Sequence, residues 1–184
     1  MKNCDLTVSQ RGITLIESLI AITISGILLS LAISSYRAWI QNSQVRTAAE
    51  SVLNGLQLTR TEAASRNTPV SFTLTGNDWS VDVIPDATYG IAAKNVQRRS
   101  GTEGSANAAI AASQNSVVFD GLGRVVPIPA TDILFAVTNP SAGNCASTTG
   151  NAGVRCINVT VSTGGQVRMC DPALQLSVNP QGCL

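Results

Sequence analysis

The sequence predicts an α+β chain, with one long N-terminal α-helix packed on a small antiparallel β-sheet domain. Three observations predict it. From Ile13 to Ile33 the chain runs 21 residues with a single charged side chain, Glu17. An apolar stripe at helical spacing then continues to Ala63, and beyond Pro69 the apolar period switches from helical to two.

The first 12 residues are polar, carry Lys2 and Arg11, and end in Gly12. They read as a leader over 1–12. At a rise of about 1.5 Å per residue the segment from Ile13 to Ile33 would be about 30 Å long, the thickness of a bilayer's hydrocarbon core. Residues 13–34 are therefore expected to be a transmembrane helix half. A lone carboxylate such as Glu17 near the start of that segment costs about 2.5–3.5 kcal/mol on insertion scales, so a partner for it is expected. An ordinary secretory signal has an apolar region of about 7–15 residues before a small-residue cleavage site; this region is longer and contains a glutamate. Tyr36 and Trp39 follow at the place where amphipathic rings favour a membrane interface.

Residues 35–67 are expected to be an amphipathic helix half. Val45, Ala49, Val52, Leu56 and Ala63 recur at helical spacing, whereas Arg37, Gln41, Arg46, Glu50, Gln57, Arg60 and Glu62 take the other faces. Asn67 is placed to cap the helix and Pro69 to stop it. A β-rich domain follows over 70–184. Val70 to Leu74 and Trp79 to Val83 alternate about Gly76-Asn77, a hairpin signal. Residues 86–115 are low in bulky apolar side chains and read as a long loop with at most one short strand. Val117-Val118-Phe119 and Arg124-Val125-Val126 flank a turn at Asp120–Gly123 and read as a second hairpin. Ile133 to Val137, Val154 to Val161 and Gln166 to Cys170 supply three more strands, the last two joined by a turn at Ser162–Gly165.

Composition narrows the chemistry. The chain has no histidine, which excludes Ser-His-Asp, Cys-His and histidine-metal sites. Asp78, Asp82 and Asp86 are the sole carboxylate cluster; without calcium-loop spacing they read as solvent-facing. No cofactor, no metal and no catalytic residue is expected, and the chain reads as a non-enzyme. The Lys+Arg count of 12 and Asp+Glu count of 11 both fall to ten once Lys2, Arg11 and Asp5 leave with the leader. That balance argues against nucleic-acid binding by bulk charge and leaves only a local patch. Of five cysteines, Cys4 lies in the leader, and Cys145, Cys156, Cys170 and Cys183 cluster near the C-terminus. An even set in an exported domain reads as two disulfides. Three pairings are open. Cys145–Cys156 with Cys170–Cys183 is favoured, because each closes a short loop rich in Gly, Asn, Ser or Pro.

Gly12-Ile13-Thr14-Leu15-Ile16-Glu17 and the apolar helix behind it resemble the type IV prepilin signature. That resemblance implies the type IV pilin fold, cleavage by a prepilin peptidase between Gly12 and Ile13, and methylation of the new amine at Ile13. It makes Glu17 the fifth mature residue, which would pair with a neighbouring subunit's terminal amine and set assembly register. The sequence departs from the family in having Ile13 where Phe or Met is usual, and Ser34 where many pilins have proline. Ala48–Asn67, Val118–Arg124 and Gly165–Pro172 are similar to the FimT/FimU branch of minor pilins, related to the GspH minor pseudopilins of type II secretion.

The branch implies a minor pilin in a tip or priming complex of a type IV pilus. Two alternatives are a GspH-like minor pseudopilin and a FimT-like DNA receptor for natural transformation. Implied partners are other major and minor pilins through helix packing, the peptidase, and the bacterial inner membrane before assembly. The implied location is a single-pass inner-membrane protein with a periplasmic C-terminal domain, then a surface filament. Some FimT-type pilins contact DNA through a Gly-Arg-x-Arg motif. The matching stretch here is Gly165-Gln166-Val167-Arg168, which lacks the first arginine; Arg124, Arg155 and Arg168 are the remaining candidates for DNA contact.

Overall fold

The structure, a computed structural model, describes residues 12–146 and 154–183, except the side chains of residues 31, 32, 34 and 35. Lys2, Cys4 and Arg11 of the expected leader lie outside the described residues. The chain divides into two compact units, the first ending at Arg37 and the second running Ala38–Leu184. The second half of the helix shares one unit with the strands.

Helix α1 runs Leu15–Arg66 without a break. In the first unit its described large apolar side chains are exposed; Leu15, Ile22 and Leu29 keep 82 %, 71 % and 66 % of their surface. Three hydroxyls in this stretch are satisfied by the helix itself. Thr23 donates to the Ile20 carbonyl at 2.8 Å, Ser25 to Ala21 at 2.8 Å and Ser30 to Ile27 at 2.7 Å. Such back-bonding removes their need for water. Among the described residues no helix is long and apolar enough to cross a membrane.

In the second unit the helix buries the expected stripe: Val45, Ala49, Val52, Leu56 and Ala63 are all fully buried. The stripe's missing step is filled by Thr59, also fully buried, whose hydroxyl donates to the Gly55 carbonyl at 2.7 Å. Asn67 ends the helix in a left-handed conformation, φ 49°, and Thr68 N donates back to the Ala63 carbonyl at 3.2 Å.

Among the described residues eight strands follow: β1 Val70–Thr75, β2 Asp78–Val83, β3 Lys94–Arg99, β4 Ala109–Ala112, β5 Ser116–Phe119, β6 Ile133–Thr138, β7 Ile157–Val161 and β8 Val167–Cys170. They form two four-stranded sheets, in the orders β3-β2-β1-β5 and β4-β6-β7-β8, with every neighbouring pair antiparallel. In the first sheet the register pairs Val70 with Val83, Phe72 with Val81 and Leu74 with Trp79, so alternation puts all six on the buried face. In the second, Ile133 faces Val161 and Phe135 faces Val159, again buried. The rings of Phe72 and Phe135 meet edge to face at 5.7 Å, and Phe72 also lies 5.8 Å from Trp79. One core thus joins both sheets to the helix.

Gly55 marks a close approach of helix to sheet. A Cβ there would stand 2.8 Å from the Phe72 ring and 3.2 Å from the Trp79 indole. Helix propensity alone would make Gly55→Ala stabilising by about 1 kcal/mol. Overpacking a buried contact costs about 1–3 kcal/mol, and here the obstructing ring is fully buried. Gly55→Ala is expected to lower stability by about 1 kcal/mol net in urea denaturation; a raised midpoint would refute the close approach.

Two expectations are corrected. Residues 86–115 hold two strands, not at most one. Strand β3, Lys94-Asn95-Val96-Gln97-Arg98-Arg99, is a sheet edge with no residue fully buried, so it has no alternation to read. Strand β4, Ala109-Ile110-Ala111-Ala112, is an edge of small side chains apart from Ile110. The loop between them is pinned to the β1–β2 turn. Asp78 accepts from Gly101 N at 2.8 Å, and the Asn77 amide donates to the Ala108 carbonyl at 2.6 Å while accepting from Ile110 N at 3.1 Å. The second hairpin shrinks to a single bridge, Phe119 with Val125, plus Val126 N to the Val118 carbonyl at 2.9 Å. Pro127 has no N–H with which to continue a ladder.

Candidate functional site

The residues at the chain's N-terminal motif take their positions from the start of α1. Thr14 caps the helix: its hydroxyl accepts from Glu17 N at 3.3 Å, and its carbonyl from Ser18 N at 3.2 Å. Thr14-Leu15-Ile16-Glu17 thus has the spacing of a capping box, a local signal that the prepilin resemblance overlies. Glu17 sits in the first turn, where the helix dipole favours a carboxylate. Among the described residues no cation lies within salt-bridge distance of it. Gly12 precedes the helix in open space, with no heavy atom within 4 Å of where a Cβ would stand. The Gly12–Ile13 bond is therefore accessible, and Glu17 is held one helical turn beyond it.

In the second unit the four cysteines form two disulfides. Cys145 joins Cys156 with Cα atoms 5.4 Å apart, and Cys170 joins Cys183 at 4.9 Å. The C-terminal segment is tied down further: Asp171 bridges Gly182 in parallel, Asp171 N donates to the Gln181 carbonyl at 2.7 Å, and Arg168 donates to the carbonyls of Gly182 and Cys183 at 3.0 and 2.8 Å.

The three candidate arginines for DNA contact each have an internal partner. Arg168 holds those two C-terminal carbonyls. Arg155 pairs with Asp171 at 2.8 Å, and its backbone N–H donates to the Asn42 side chain at 2.9 Å. Arg124 pairs with Asp120 at 3.1 Å. Arg124 belongs to the turn after β5 of the first sheet, whereas Arg168 lies in β8 of the second and Arg155 just before β7.

Asp120 organises its turn. Its Oδ1 accepts from Leu122 N at 2.9 Å and Arg124 N at 2.8 Å, and its Oδ2 from the Arg124 guanidinium. The backbone N–H of Arg124 is the largest cause holding its carboxyl below the usual 3.8; partial desolvation opposes it, and Leu122 N and the guanidinium add to it. A carboxyl whose pKa is lower when folded stabilises the fold above its unfolded pKa. That contribution fades as pH falls through the folded one. Asp120→Asn is expected to lower the melting temperature at neutral pH, and the gap from the parent chain is expected to close below about pH 4. A gap independent of pH would refute the role.

The aspartate cluster does not gather. Asp82 accepts from Ser80 and Asn95, both at 2.7 Å, and Asp86 accepts from Thr88 N at 2.8 Å. Among the described residues no group of three potential metal ligands occurs.

The same fold and motif recur in known proteins. The family model described as type II transport protein GspH matches residues 48–165, more than half of the chain. The prokaryotic N-terminal methylation motif matches residues 8–33. Comparison with curated proteins finds no match. Among solved structures, the type IV minor pilin FimU of Pseudomonas aeruginosa is similar at 20 % identity and TM-score 0.53, covering 79 % of this chain and 99 % of that one. The minor pseudopilin EpsH of the Vibrio cholerae type 2 secretion system matches at 12 % identity and TM-score 0.50, covering 71 % and 99 %. Escherichia coli GspH in solution matches at 14 % and 0.50, covering 72 % and 91 %. At these identities the structures attest the fold, the type IV pilin fold expected from the sequence. Pilins and pseudopilins are structural proteins that assemble with one another in filaments, and not enzymes. The match over its helix and strands, with the methylation motif ahead of it, places this chain in the GspH family of minor pilins and pseudopilins.

Proposed function

We propose that the chain is a minor pilin of a type IV pilus, which joins a priming complex at the filament tip. Residues 13–34 hold it in the bacterial inner membrane as a single span, with the domain from 70 to 184 in the periplasm. A prepilin peptidase cuts between Gly12 and Ile13, and the new amine at Ile13 is methylated. The helix then leaves the bilayer to pack among the helices of other pilins, in a filament at the cell surface.

The observation that carries this reading is the first half of α1, apolar and exposed at its described large side chains, with the hydroxyls of Thr23, Ser25 and Ser30 bonded to its own carbonyls. Such a surface needs cover from outside the chain, first lipid and then neighbouring helices. Glu17 is the exception within it, and a neighbour's terminal amine would neutralise it. Glu17→Ala is expected to leave processing intact and to reduce incorporation into filaments at least roughly tenfold, a loss of about 1.4 kcal/mol or more in the assembly step. Mass spectrometry of the N-terminus reads the first, immunoblotting of sheared filaments the second. Normal incorporation would refute the role.

A second reading, a minor pseudopilin of type II secretion, is favoured by the family description and by the likeness to EpsH and GspH. Deleting the gene separates the two: loss of surface pili supports the first, and retention of secreted enzymes in the periplasm supports the second.

A further inference from the structure

Five arginines among the described residues pair with carboxylates: Arg46, Arg66, Arg99, Arg124 and Arg155. Arg60 does not. Its Nε donates to the Gly123 carbonyl at 3.1 Å, 63 positions along the chain, and no acid among the described residues meets its terminal nitrogens. The nearby acids are engaged, Glu62 with Arg66 and Asp120 with Arg124.

Arg60 also lines a cavity of about 420 Å³ between the helix and two turns, with Gln57 and Ala64 from the helix, Leu122 and Gly123 from the β5–β6 connection, and Gln166 from the β7–β8 turn. Two glycines hold this wall in place. Gly123, φ 73°, would bring a Cβ to 3.0 Å from Arg60 Nε; Gly165, φ 82°, would bring one to 2.5 Å from the Gly123 carbonyl. Leu122, 72 % exposed, supplies an apolar lip.

We infer that this cavity is a docking site for a carboxylate side chain of an adjacent filament subunit, received by the terminal nitrogens of Arg60. With Nε fixed on a carbonyl, the guanidinium keeps its paired terminal donors for a bidentate partner. One cation matches one carboxylate in charge and in bidentate geometry. The apolar lip and Ala64 suit the methylenes of a glutamate. The larger cavity, about 530 Å³ beside Trp39, is a poorer candidate because Arg46 and Arg155 there are already paired and Asp171 lines it. The identity of the donor as a subunit rests on the proposed filament role; the chemistry of the cavity does not.

The test is a titration of the ¹⁵N-labelled full chain in detergent micelles, following the Arg60 Nε–Hε signal and the amides of Gly123 and Gln166. The probes are N-acetylglutamate methylamide, its glutamine counterpart and inorganic phosphate. Saturable shifts with the acid are expected, with a dissociation constant on the order of 1 mM. The glutamine probe should bind at least roughly tenfold more weakly, and phosphate no more tightly than the acid. Arg60→Gln should abolish the response, and Arg60→Lys should keep a weakened one. Equal response to acid and amide, stronger response to phosphate, or no response to the acid would overturn the site. In cells, Arg60→Gln should be processed normally but incorporated less. Normal incorporation of Arg60→Gln beside a failing Glu17→Ala would overturn the docking role while leaving the filament reading intact. Absence of the parent chain itself from sheared filaments would remove the filament reading and this inference with it.

Discussion

Phe72→Ala is expected to cost about 3–5 kcal/mol of stability, several times the loss expected for Gly55→Ala. Phe72 is fully buried in β1, meets Phe135 of the second sheet at 5.7 Å and Trp79 of β2 at 5.8 Å, and is the ring against which Gly55 of the helix is set. Removing it empties the point at which helix and both sheets meet, so loss of transfer free energy adds to the energy of an unfilled cavity. A domain of ordinary stability, about 5–15 kcal/mol, would be left marginal. Urea denaturation of the full chain in micelles, followed by tryptophan fluorescence, reads the effect. Val178→Ala serves as the control: Val178 is 84 % exposed, and its loss should fall within about 0.5 kcal/mol of zero. A loss under about 1 kcal/mol for Phe72→Ala would mean that the three layers do not share one core.

Removing the Cys170–Cys183 disulfide with a double serine substitution is expected to cost about 3 kcal/mol, since it closes a loop with a sequence separation of 13. The effect should be partly local. Arg168 holds the carbonyls of Gly182 and Cys183, and Asp171 bridges Gly182; these contacts are worth about 1 kcal/mol each and depend on the loop being closed. Without the covalent tie the segment after Cys170 should become cleavable by protease under conditions in which the parent chain is intact, while β6 and β7 stay protected. Equal protease resistance in parent and variant would show that hydrogen bonds alone close the loop.

The helix was legible in the sequence because both halves have a one-dimensional signature. Val45, Ala49, Val52, Leu56 and Ala63 declare a buried stripe by spacing, and the stretch from Ile13 to Ile33 declares itself by lacking charge. β1 and β2 were legible for a similar reason, since Phe72, Leu74, Trp79 and Val81 alternate with polar residues about Gly76-Asn77. β3 was not. Lys94, Gln97 and Arg98 are ordinary for an edge strand whose pairing lies with β2 on one side, and no hydrophobic period marks backbone pairing alone. The division of strands into two sheets was equally hidden, because it depends on which edges meet and not on any one strand's composition. In the site, Gly12 and Glu17 are close in sequence and announce themselves through the motif. The contact of Arg60 with Gly123 spans 63 positions and runs from a side chain to a backbone oxygen. No pattern of residue types encodes that.

The edges of the two sheets bear on how such a domain stays soluble when many are crowded together. An uncovered strand edge is a template for the next copy's strand, and crowding raises the rate of that error. Here β3 carries Lys94, Arg98 and Arg99 along its edge, which repel a second like strand. β4, whose alanines offer no such repulsion, instead has the Asn77 amide occupying the Ala108 carbonyl and the Ile110 N–H, as a neighbouring strand's backbone would. The bridge from Val125 shields the end of β5, and the tethered C-terminal segment lies beside the end of β8. A single asparagine at a turn thus protects an edge some thirty positions away, and a domain so guarded can be concentrated without forming fibrous aggregates through its strands.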